Sequence, residues 1–215
     1  MQNKFIVVEG NIGAGKTSLT NMISEQYSAK AVYEAFADNP FLSKFYKEPE
    51  RYSFQLELSF LAERFQQLKS ELSNRDVFKS LIVSDYYFSK SLIFAQSTLS
   101  GDEYALYRKI YSIIYSSLPK PDLYVYLYKT SDQLLENIKK RGRDYEQDIK
   151  ADYLNDIQSG YFDYFKQNQE LTFLVIDTNF VDFINNKEHY NKIRSLIFDE
   201  EYSHGVHRRS VLSSE

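Results

Sequence analysis

Cysteine is absent from this sequence, and proline and glycine are scarce, with four and seven residues among 215. A chain without cysteine can form neither a disulfide framework nor a thiolate metal site. No Gly/Pro/Ser-rich linker, internal repeat or low-complexity tract divides the chain, so we expect a single domain over residues 1–202. Residues 203–215 form a polar tail of the kind that is often disordered.

Strong charge and long apolar runs are missing as well. The formal net charge is −4, which does not indicate a nucleic-acid-binding surface. No apolar run approaches the ~20 residues that a membrane helix needs, and the first strand pattern starts too close to Met1 to leave room for a signal peptide. We therefore expect a cytoplasmic protein with no nucleic-acid or membrane partner.

The most informative stretch is residues 10–17, Gly-Asn-Ile-Gly-Ala-Gly-Lys-Thr. This is the pattern of a P-loop, and a strand pattern precedes it while a helical pattern follows it. Backbone N–H groups of such a loop surround phosphates, Lys16 reaches the β- and γ-phosphates, and the Thr17 hydroxyl binds Mg²⁺. A glycine-rich turn before a helix is the alternative, and the flanking elements favour the P-loop. The predicted phosphate-binding residues are Gly10, Asn11, Ile12, Gly13, Ala14, Gly15, Lys16 and Thr17.

Strand and helix patterns alternate along the chain, which predicts an α/β fold with a five-stranded parallel sheet covered by helices on both faces. The predicted strands are Lys4–Val8, Ala31–Tyr33, Phe78–Val83, Leu123–Leu127 and Thr172–Ile176. Ligands of such sheets bind beyond the carboxyl ends of the strands. Polar residues at these ends, and on helices that face them, are therefore candidates for chemistry.

Two acids close predicted strands. Glu34 follows the second strand beside the P-loop, where a carboxylate could take the proton from an attacking hydroxyl group. A solvated acid at a strand end is an equally good interpretation. Asp85 follows the third strand, where it could bind Mg²⁺ or its water ligands. Capping of the next helix by Asp85 is the alternative.

Two further pairs lie on helices. Glu57 and Arg64 are two turns apart on a long predicted helix and share a face, either lining a cavity or forming a surface ion pair. Arg141 and Arg143 flank a glycine at the end of another helix. They suit a lid that clamps a transferring phosphoryl group, although cations at a helix C-terminus are also ordinary.

These segments, in this order, resemble the deoxyribonucleoside kinases from Lys4 to about Phe183. The segments that support the resemblance are the P-loop, Tyr33-Glu34 followed by residues 38–42, Phe45-Tyr46 followed by residues 49–54, the lid sequence of residues 141–147, and residues 176–179. The resemblance implies a P-loop kinase fold with a short arginine-rich lid. It also implies a homodimer that uses ATP and Mg²⁺ to phosphorylate the 5′-hydroxyl of a deoxynucleoside.

The resemblance further implies roles for single residues on the acceptor side. Glu34 matches the carboxylate that deprotonates the 5′-hydroxyl, and Tyr46 and Glu146 match the pair that binds the deoxyribose 3′-hydroxyl. Glu57 falls where the family usually has a glutamine that contacts the base, and Arg64 matches a nearby pocket arginine.

Other matches lie on the donor side. Arg141 and Arg143 match the lid arginines that stabilise the phosphates. Asp182 and Phe183 lie near the position of the family's ATP-adenine pocket.

The chain departs from the family pattern at two places. The family commonly has Glu-Arg-Ser after strand three, whereas this chain has Ser-Asp-Tyr at residues 84–86, so an arginine is missing and the sequence indicates no replacement. Glu57 replaces the usual glutamine. An ionised carboxylate only accepts hydrogen bonds, which suits guanine, whereas a protonated one could pair with adenine. Contact with Arg64 or Lys90 would favour ionisation. A purine deoxynucleoside is expected, with adenine and guanine both open.

A nucleoside monophosphate kinase of the thymidylate type is the alternative function. Its acceptor is an anionic phosphate that needs an arginine to hold it and no general base. The sequence offers Glu34 as a base and lacks that arginine after strand three, which favours a neutral hydroxyl acceptor. A switch GTPase would need the Asp-x-x-Gly and Asn-Lys-x-Asp motifs, neither of which the sequence contains.

Overall fold

The computed structural model describes residues 4–35, 39–73 and 80–212. Two parts of the predictions, Asp38 and the start of the third predicted strand at Phe78, lie outside the described residues. No helix in these ranges is long and apolar enough to cross a membrane.

The six strands form one parallel sheet with the order β2-β3-β1-β4-β5-β6. The strands are β1 Lys4–Gly10, β2 Lys30–Val32, β3 Leu81–Ser84, β4 Leu123–Tyr128, β5 Thr172–Asp177 and β6 Gly205–Ser210. Strands β1, β4 and β5 are almost wholly buried. Continuous apolar runs of this kind are what a parallel sheet covered on both faces requires.

Helices cover both faces of the sheet. Within the described ranges they are α1 Lys16–Tyr27, α2 Leu42–Lys47, α3 Pro49–Ser73, α4 Ser89–Thr98, α5 Gly101–Tyr115, α6 Ser131–Arg141, α7 Ala151–Gln167 and α8 Lys187–Phe198. Alternate residues of β1 point to opposite faces, as strand geometry demands. Phe5 and Val7 belong to the hydrophobic cluster beneath α3, α4, α5 and α7, whereas Ile6 and Val8 belong to the cluster beneath α1, α6 and α8.

The prediction of five strands is wrong by one, because residues 205–210 of the expected polar tail form β6. This strand pairs in parallel with β5 at the edge of the sheet. An edge strand is paired on one side only, so it can keep polar side chains exposed. The guanidinium group of Arg208 lies 5.3 Å from the ring centroid of Phe162, and Arg209 donates to Glu200 over 3.1 Å. The segment therefore lacks the apolar pattern that identifies a buried strand.

The order of the strands places the P-loop at the centre of the sheet. From β1 the chain builds β2 and β3 on one side, and β4 to β6 follow on the other. The carboxyl end of β1 is thus the topological switch point, where α/β sheets bind ligands. Because all strands are parallel, the segments that follow β1, β2 and β3 lie at the same edge of the sheet.

Candidate active site

The P-loop packs tightly against its surroundings. Gly13 has φ +83°, and a Cβ atom on it would lie 2.8 Å from the carbonyl oxygen of Leu134. Gly15 has φ +93°, and a Cβ atom there would lie 2.9 Å from the ring of Phe183. The side-chain amide of Asn137 donates to the Gly13 carbonyl over 2.9 Å and joins α6 to the loop. Both glycines are needed for the backbone conformation and for the close contacts.

A donor cleft opens between the P-loop, α6 and the segment after β5. It brings together most of the residues that the sequence assigned to ATP, and the predicted residues that line it are Gly13, Ala14, Gly15, Lys16, Thr17, Arg141, Arg143, Asp182 and Phe183. Lys129 also lines this cleft, and its ammonium donates to the Thr178 carbonyl. Of the remaining predicted residues, Gly10 and Asn11 are buried at the start of the loop. Ile12 lines a second pocket on the other side of the P-loop.

Lys16 is held within the loop that it serves. Its ammonium donates to the Asn11 carbonyl over 2.8 Å. Burial lowers the pKa of Lys16 to about 8, and repulsion from Lys90 acts in the same direction, while Glu9 and Glu34 oppose the shift. A lysine with this pKa is largely charged at neutral pH and available to an anionic ligand.

The acid after β3 joins the two sides of the site. The Thr17 hydroxyl donates to Oδ2 of Asp85 over 2.6 Å, and Oδ1 of Asp85 accepts the backbone N–H of Glu34 over 2.8 Å. The described residues contain no group of three or more His, Cys, Asp or Glu side chains suited to a metal. Thr17 and Asp85 nevertheless offer two adjacent oxygens, the number that Mg²⁺ commonly takes from a protein when phosphates and water complete its shell.

An acceptor pocket faces the P-loop from the other side, and Lys16, Thr17, Arg141 and Arg143 line both clefts. The predicted acceptor residues that line this pocket are Glu34, Tyr46, Glu57, Arg64, Asp85 and Glu146. The two clefts therefore meet at the P-loop lysine and at the lid arginines. A group bound in one cleft could be transferred to a molecule bound in the other.

Glu34 is the most strongly paired carboxylate of the pocket. Its Oε1 accepts from Nε of Arg64 over 2.8 Å and lies 2.7 Å from Nη2, while its Oε2 accepts from the ammonium of Lys90 over 2.5 Å. Burial alone would raise the pKa of Glu34, but Lys90 and Arg64 lower it to about 2. Glu34 is therefore ionised at neutral pH and is not a solvated strand-end acid.

Glu57 has the opposite environment. It is 2% exposed, the Thr98 hydroxyl donates to its Oε1 over 2.9 Å, and its Oε2 is buried without a hydrogen-bond partner. Burial raises the pKa of Glu57 to about 7, although Arg64, Thr98 and Lys90 partly offset the shift. Arg64 and Lys90 form their ion pairs with Glu34 and act on Glu57 at longer range. The cavity interpretation of Glu57 and Arg64 is the one that the structure shows.

The lid connects the two clefts. Helix α6 ends at Arg141, Gly142 follows with φ +70°, and Asp144–Glu146 forms a short 3₁₀ helix. Glu146 is 5% exposed and pairs with both Arg141 and Arg143, the second over 3.2 Å. The lid arginines are thus oriented by the carboxylate that also faces the acceptor pocket.

An aromatic wall completes the acceptor pocket. The ring of Tyr46 stacks on Tyr145 with 6.2 Å between centroids, and burial raises the pKa of the Tyr46 hydroxyl. Tyr46 remains protonated and can donate a hydrogen bond beside Glu146.

The sequence interpretation missed three residues of the site. It gave no role to Glu9 or Thr98, and it considered Lys90 only as a contact of Glu57. Glu9 is buried beneath the P-loop, accepts from the Tyr87 N–H over 2.9 Å and from the Tyr161 hydroxyl over 2.8 Å, and has its pKa raised to about 6 by burial. The available signal was a charged residue within an apolar run. Glu9 shows this signal directly after Phe5–Val8, whereas Lys90 stands between two serines and does not.

A parallel sheet with a P-loop after its first strand and a second, buried pocket facing that loop is the architecture of a P-loop kinase. The family model for deoxynucleoside kinases matches residues 6–201. This chain belongs to the deoxynucleoside kinase family, and it is an enzyme that phosphorylates deoxynucleosides.

Individual relatives cover most of the chain. A deoxyguanosine kinase of Bacillus subtilis (strain 168) is 39% identical over 197 residues, which are 90% of this chain and 95% of that protein. A deoxyadenosine kinase of Dictyostelium discoideum is 32% identical over 86% of this chain and 75% of that protein. The solved structure of a deoxyadenosine kinase from M. mycoides with bound dATP has a TM-score of 0.72 at 26% identity, covering 81% of this chain and 90% of the other.

Proposed function

We propose that this deoxynucleoside kinase prefers a purine deoxynucleoside, with deoxyguanosine ahead of deoxyadenosine, and that ATP with Mg²⁺ is its phosphate donor. The observation that supports the base preference is Glu57, which lines the acceptor pocket and whose buried Oε2 has no hydrogen-bond partner. An unsatisfied buried polar atom costs about 1–3 kcal/mol. A base that donates a hydrogen bond to this oxygen removes that cost when it binds.

Guanine presents two adjacent donors, N1–H and the 2-amino group, which match a carboxylate. Adenine pairs with a carboxyl group only when that group is protonated and donates to N1. With a pKa raised to about 7, both states of Glu57 are accessible, and a bound guanine selects the ionised one. The deoxyguanosine kinase of Bacillus subtilis is the relative with 39% identity, which supports the same choice.

On the acceptor side, Glu34 takes the proton of the 5′-hydroxyl as that oxygen attacks the γ-phosphate. Its ionised state and its two cations keep it fixed at the meeting point of the clefts. A carboxylate with a lowered pKa is a weak base in the ground state, so proton transfer occurs late, as the bond to phosphorus forms. Tyr46 and Glu146 bind the 3′-hydroxyl, which distinguishes the sugar's two ends.

On the donor side, the P-loop amides and Lys16 hold the phosphates, and Asp182 and Phe183 border the adenine. Arg141 and Arg143 approach the transferring phosphoryl group from the lid, where they stabilise the charge on its oxygens. Thr17 and Asp85 would hold Mg²⁺, which when bound neutralises charge on the phosphates. Closure of the lid also excludes water and so limits wasteful ATP hydrolysis.

The homodimer and the cytoplasmic location are part of the same proposal. The long helix α3 has apolar residues on more than one side, and partly buried Phe54, Leu58 and Phe65 lie along it. Sedimentation would give the mass of a dimer.

A screen of the four deoxynucleosides with labelled ATP tests the proposed preference. We expect kcat/KM to be highest for deoxyguanosine, next for deoxyadenosine and lowest for the two pyrimidines, with activity lost when EDTA removes Mg²⁺ and restored when Mg²⁺ is added back. A pyrimidine as the best substrate would refute the purine assignment. Thymidine monophosphate belongs in the same screen, because turnover of that acceptor would favour the monophosphate kinase alternative.

A further inference from the structure

Residues 85–88, which follow β3, contain no arginine. Tyr86, the residue after Asp85, is fully buried and donates its hydroxyl to Oε1 of Gln67 over 2.8 Å. Its ring belongs to the hydrophobic cluster beneath α3, α4, α5 and α7. Tyr86 is committed to the core and brings no positive charge to the reacting groups.

Lys90 is four residues after Tyr86, in an environment that disfavours a positive charge. It is the second residue of α4 and is 7% exposed. A cation in the first turn of a helix opposes the helix dipole, and burial of an ammonium group is costly in itself. A local conflict of this kind is typical of a functional site rather than of a residue placed for stability.

The contacts of Lys90 show what offsets these costs. Its ammonium is 2.5 Å from Oε2 of Glu34, and it lies 5.3 Å from the ring centroid of Phe94 one turn later. Each carboxylate oxygen of Glu34 therefore has its own cation: Arg64 binds Oε1, and Lys90 binds Oε2.

The two cations differ in what else they hold. Arg64 also donates to the Ser91 hydroxyl over 3.0 Å, and its guanidinium lies 4.6 Å from the ring centroid of Phe60. Within the described residues, the Lys90 ammonium forms its hydrogen bond and ion pair with Glu34. Substitution of Lys90 therefore changes Glu34 with less disturbance elsewhere than substitution of Arg64 would.

We propose that Lys90 is a positioning residue for phosphoryl transfer: its ammonium, rather than an arginine after β3, fixes the Glu34 carboxylate at the meeting point of the two clefts. The proposal rests on the function proposed above, in which Glu34 is the base. The other charged groups that face Lys90 are Glu9, Lys16 and Glu57. They interact with it at longer range and are not its hydrogen-bond partners.

A double-mutant cycle between Lys90 and Glu34 tests this role. We expect Lys90→Met to lower kcat by about tenfold or more, with the KM for ATP within about threefold of the original. The acid limb of the kcat–pH profile moves to higher pH, because loss of the nearest cation raises the pKa of Glu34. In a Glu34→Gln background, Lys90→Met changes kcat by less than about twofold, because the group through which Lys90 acts is gone.

Two further variants make the cycle decisive. Lys69→Met is the matched control, because the Lys69 ammonium also lies over an aromatic ring four residues away, 5.4 Å from the ring centroid of Phe65, but Lys69 is exposed. Lys90→Arg retains the charge and should restore most of kcat and the original acid limb. If Lys90→Met does not fold, as thermal unfolding would show, Lys90→Arg replaces it in the cycle, and its smaller loss must also vanish in the Glu34→Gln background.

The outcomes separate the two proposals. An equal loss from the Lys90 substitution in both backgrounds, or no loss in either, overturns the positioning role while leaving Glu34 as the base. Near-normal kcat in Glu34→Gln alone overturns the role of Glu34 itself. The base preference measured with the four deoxynucleosides is independent of both results.

Discussion

The donor and acceptor halves of this active site are built in different ways. The donor half is mainly the backbone of one stretch, residues 10–17, in which Gly13 and Gly15 have positive φ angles and pack against α6 and Phe183. The acceptor half is made of side chains that come from the segments after β2 and β3, from α2, α3 and α4, and from the lid. The first half is sensitive to backbone changes and the second to single functional groups.

Two glutamates of the acceptor half show how far environment can separate identical side chains. Glu34 has a cation on each oxygen, and its pKa is lowered to about 2. Glu57 has one hydroxyl donor and one unpartnered oxygen, and its pKa is raised to about 7 by burial. One glutamate is therefore fixed as an anion where the two clefts meet, whereas the other can be either ionised or protonated near neutral pH.

The largest effect is expected from removing the anionic glutamate. Glu34→Gln should lower kcat by about 10²-fold or more, the usual scale of general base catalysis, while ATP binding is retained because the P-loop is untouched. Steady-state kinetics and ATP titration measure the two quantities. Glu25→Gln, at an exposed position on α1, is the control. Near-normal turnover in the Glu34 variant would remove Glu34 from the role of base.

The adaptable glutamate should change selectivity rather than rate. Glu57→Gln is expected to shift the ratio of kcat/KM for deoxyguanosine to that for deoxyadenosine by about 10- to 100-fold towards adenine, since one good base contact is worth about 1–3 kcal/mol. Glu63→Gln, on the same helix and bonded to Ser59, should leave the ratio unchanged. Unaltered ratios across all four deoxynucleosides would place Glu57 outside the base-binding pocket.

A backbone change should affect only the donor half. In Gly15→Ala, the alanine must keep a backbone conformation with positive φ, and its methyl group meets the ring of Phe183. Because both effects disfavour the native loop, the Kd for ATP should rise about tenfold. Deoxyguanosine binding should stay unchanged. Gly101→Ala has the same conformational penalty but open space around it, so it should lower Tm without altering ATP affinity. Equal loss of both ligands in Gly15→Ala would contradict the separation of the two halves.

The smallest effect is a pH dependence of base choice. Because burial raises the pKa of Glu57 to about 7, the carboxyl group is mostly protonated at pH 6 and ionised at pH 8. Selectivity for deoxyguanosine over deoxyadenosine should therefore increase about three- to tenfold over this range. Competition assays at both pH values measure the ratio, and in Glu57→Gln the ratio should stay constant. A constant ratio in the original protein would show that Glu57 does not change protonation when the base binds.

Much of the fold was predictable because apolar runs and turn residues are local signals. Strands β4 and β5 begin at the predicted residues and end one residue later than predicted, and strand β2 is shifted by a single residue. Strand β6 was missed because its stability comes from pairing with β5 and not from its own polar sequence. Edge strands of this composition carry no period that distinguishes them from a loop.

The site was predictable in part, for a related reason. Residues at strand ends could be placed near the P-loop because parallel strands end at one edge. The partner of Glu34 could not be placed, since Lys90 is 56 residues away and depends on how α4 packs against α3. The free oxygen of Glu57 likewise depends on Thr98, 41 residues away.

The sequence by itself determined the P-loop, because a phosphate-binding loop is a local structure whose glycines and lysine must be adjacent. It also determined the α/β alternation and the arginine-bearing end of α6, and through these the family resemblance. The tertiary structure alone decided which glutamate is anionic and which cations pair with it. Those properties depend on burial and on charges brought together from distant segments, and both arise only when the chain is packed.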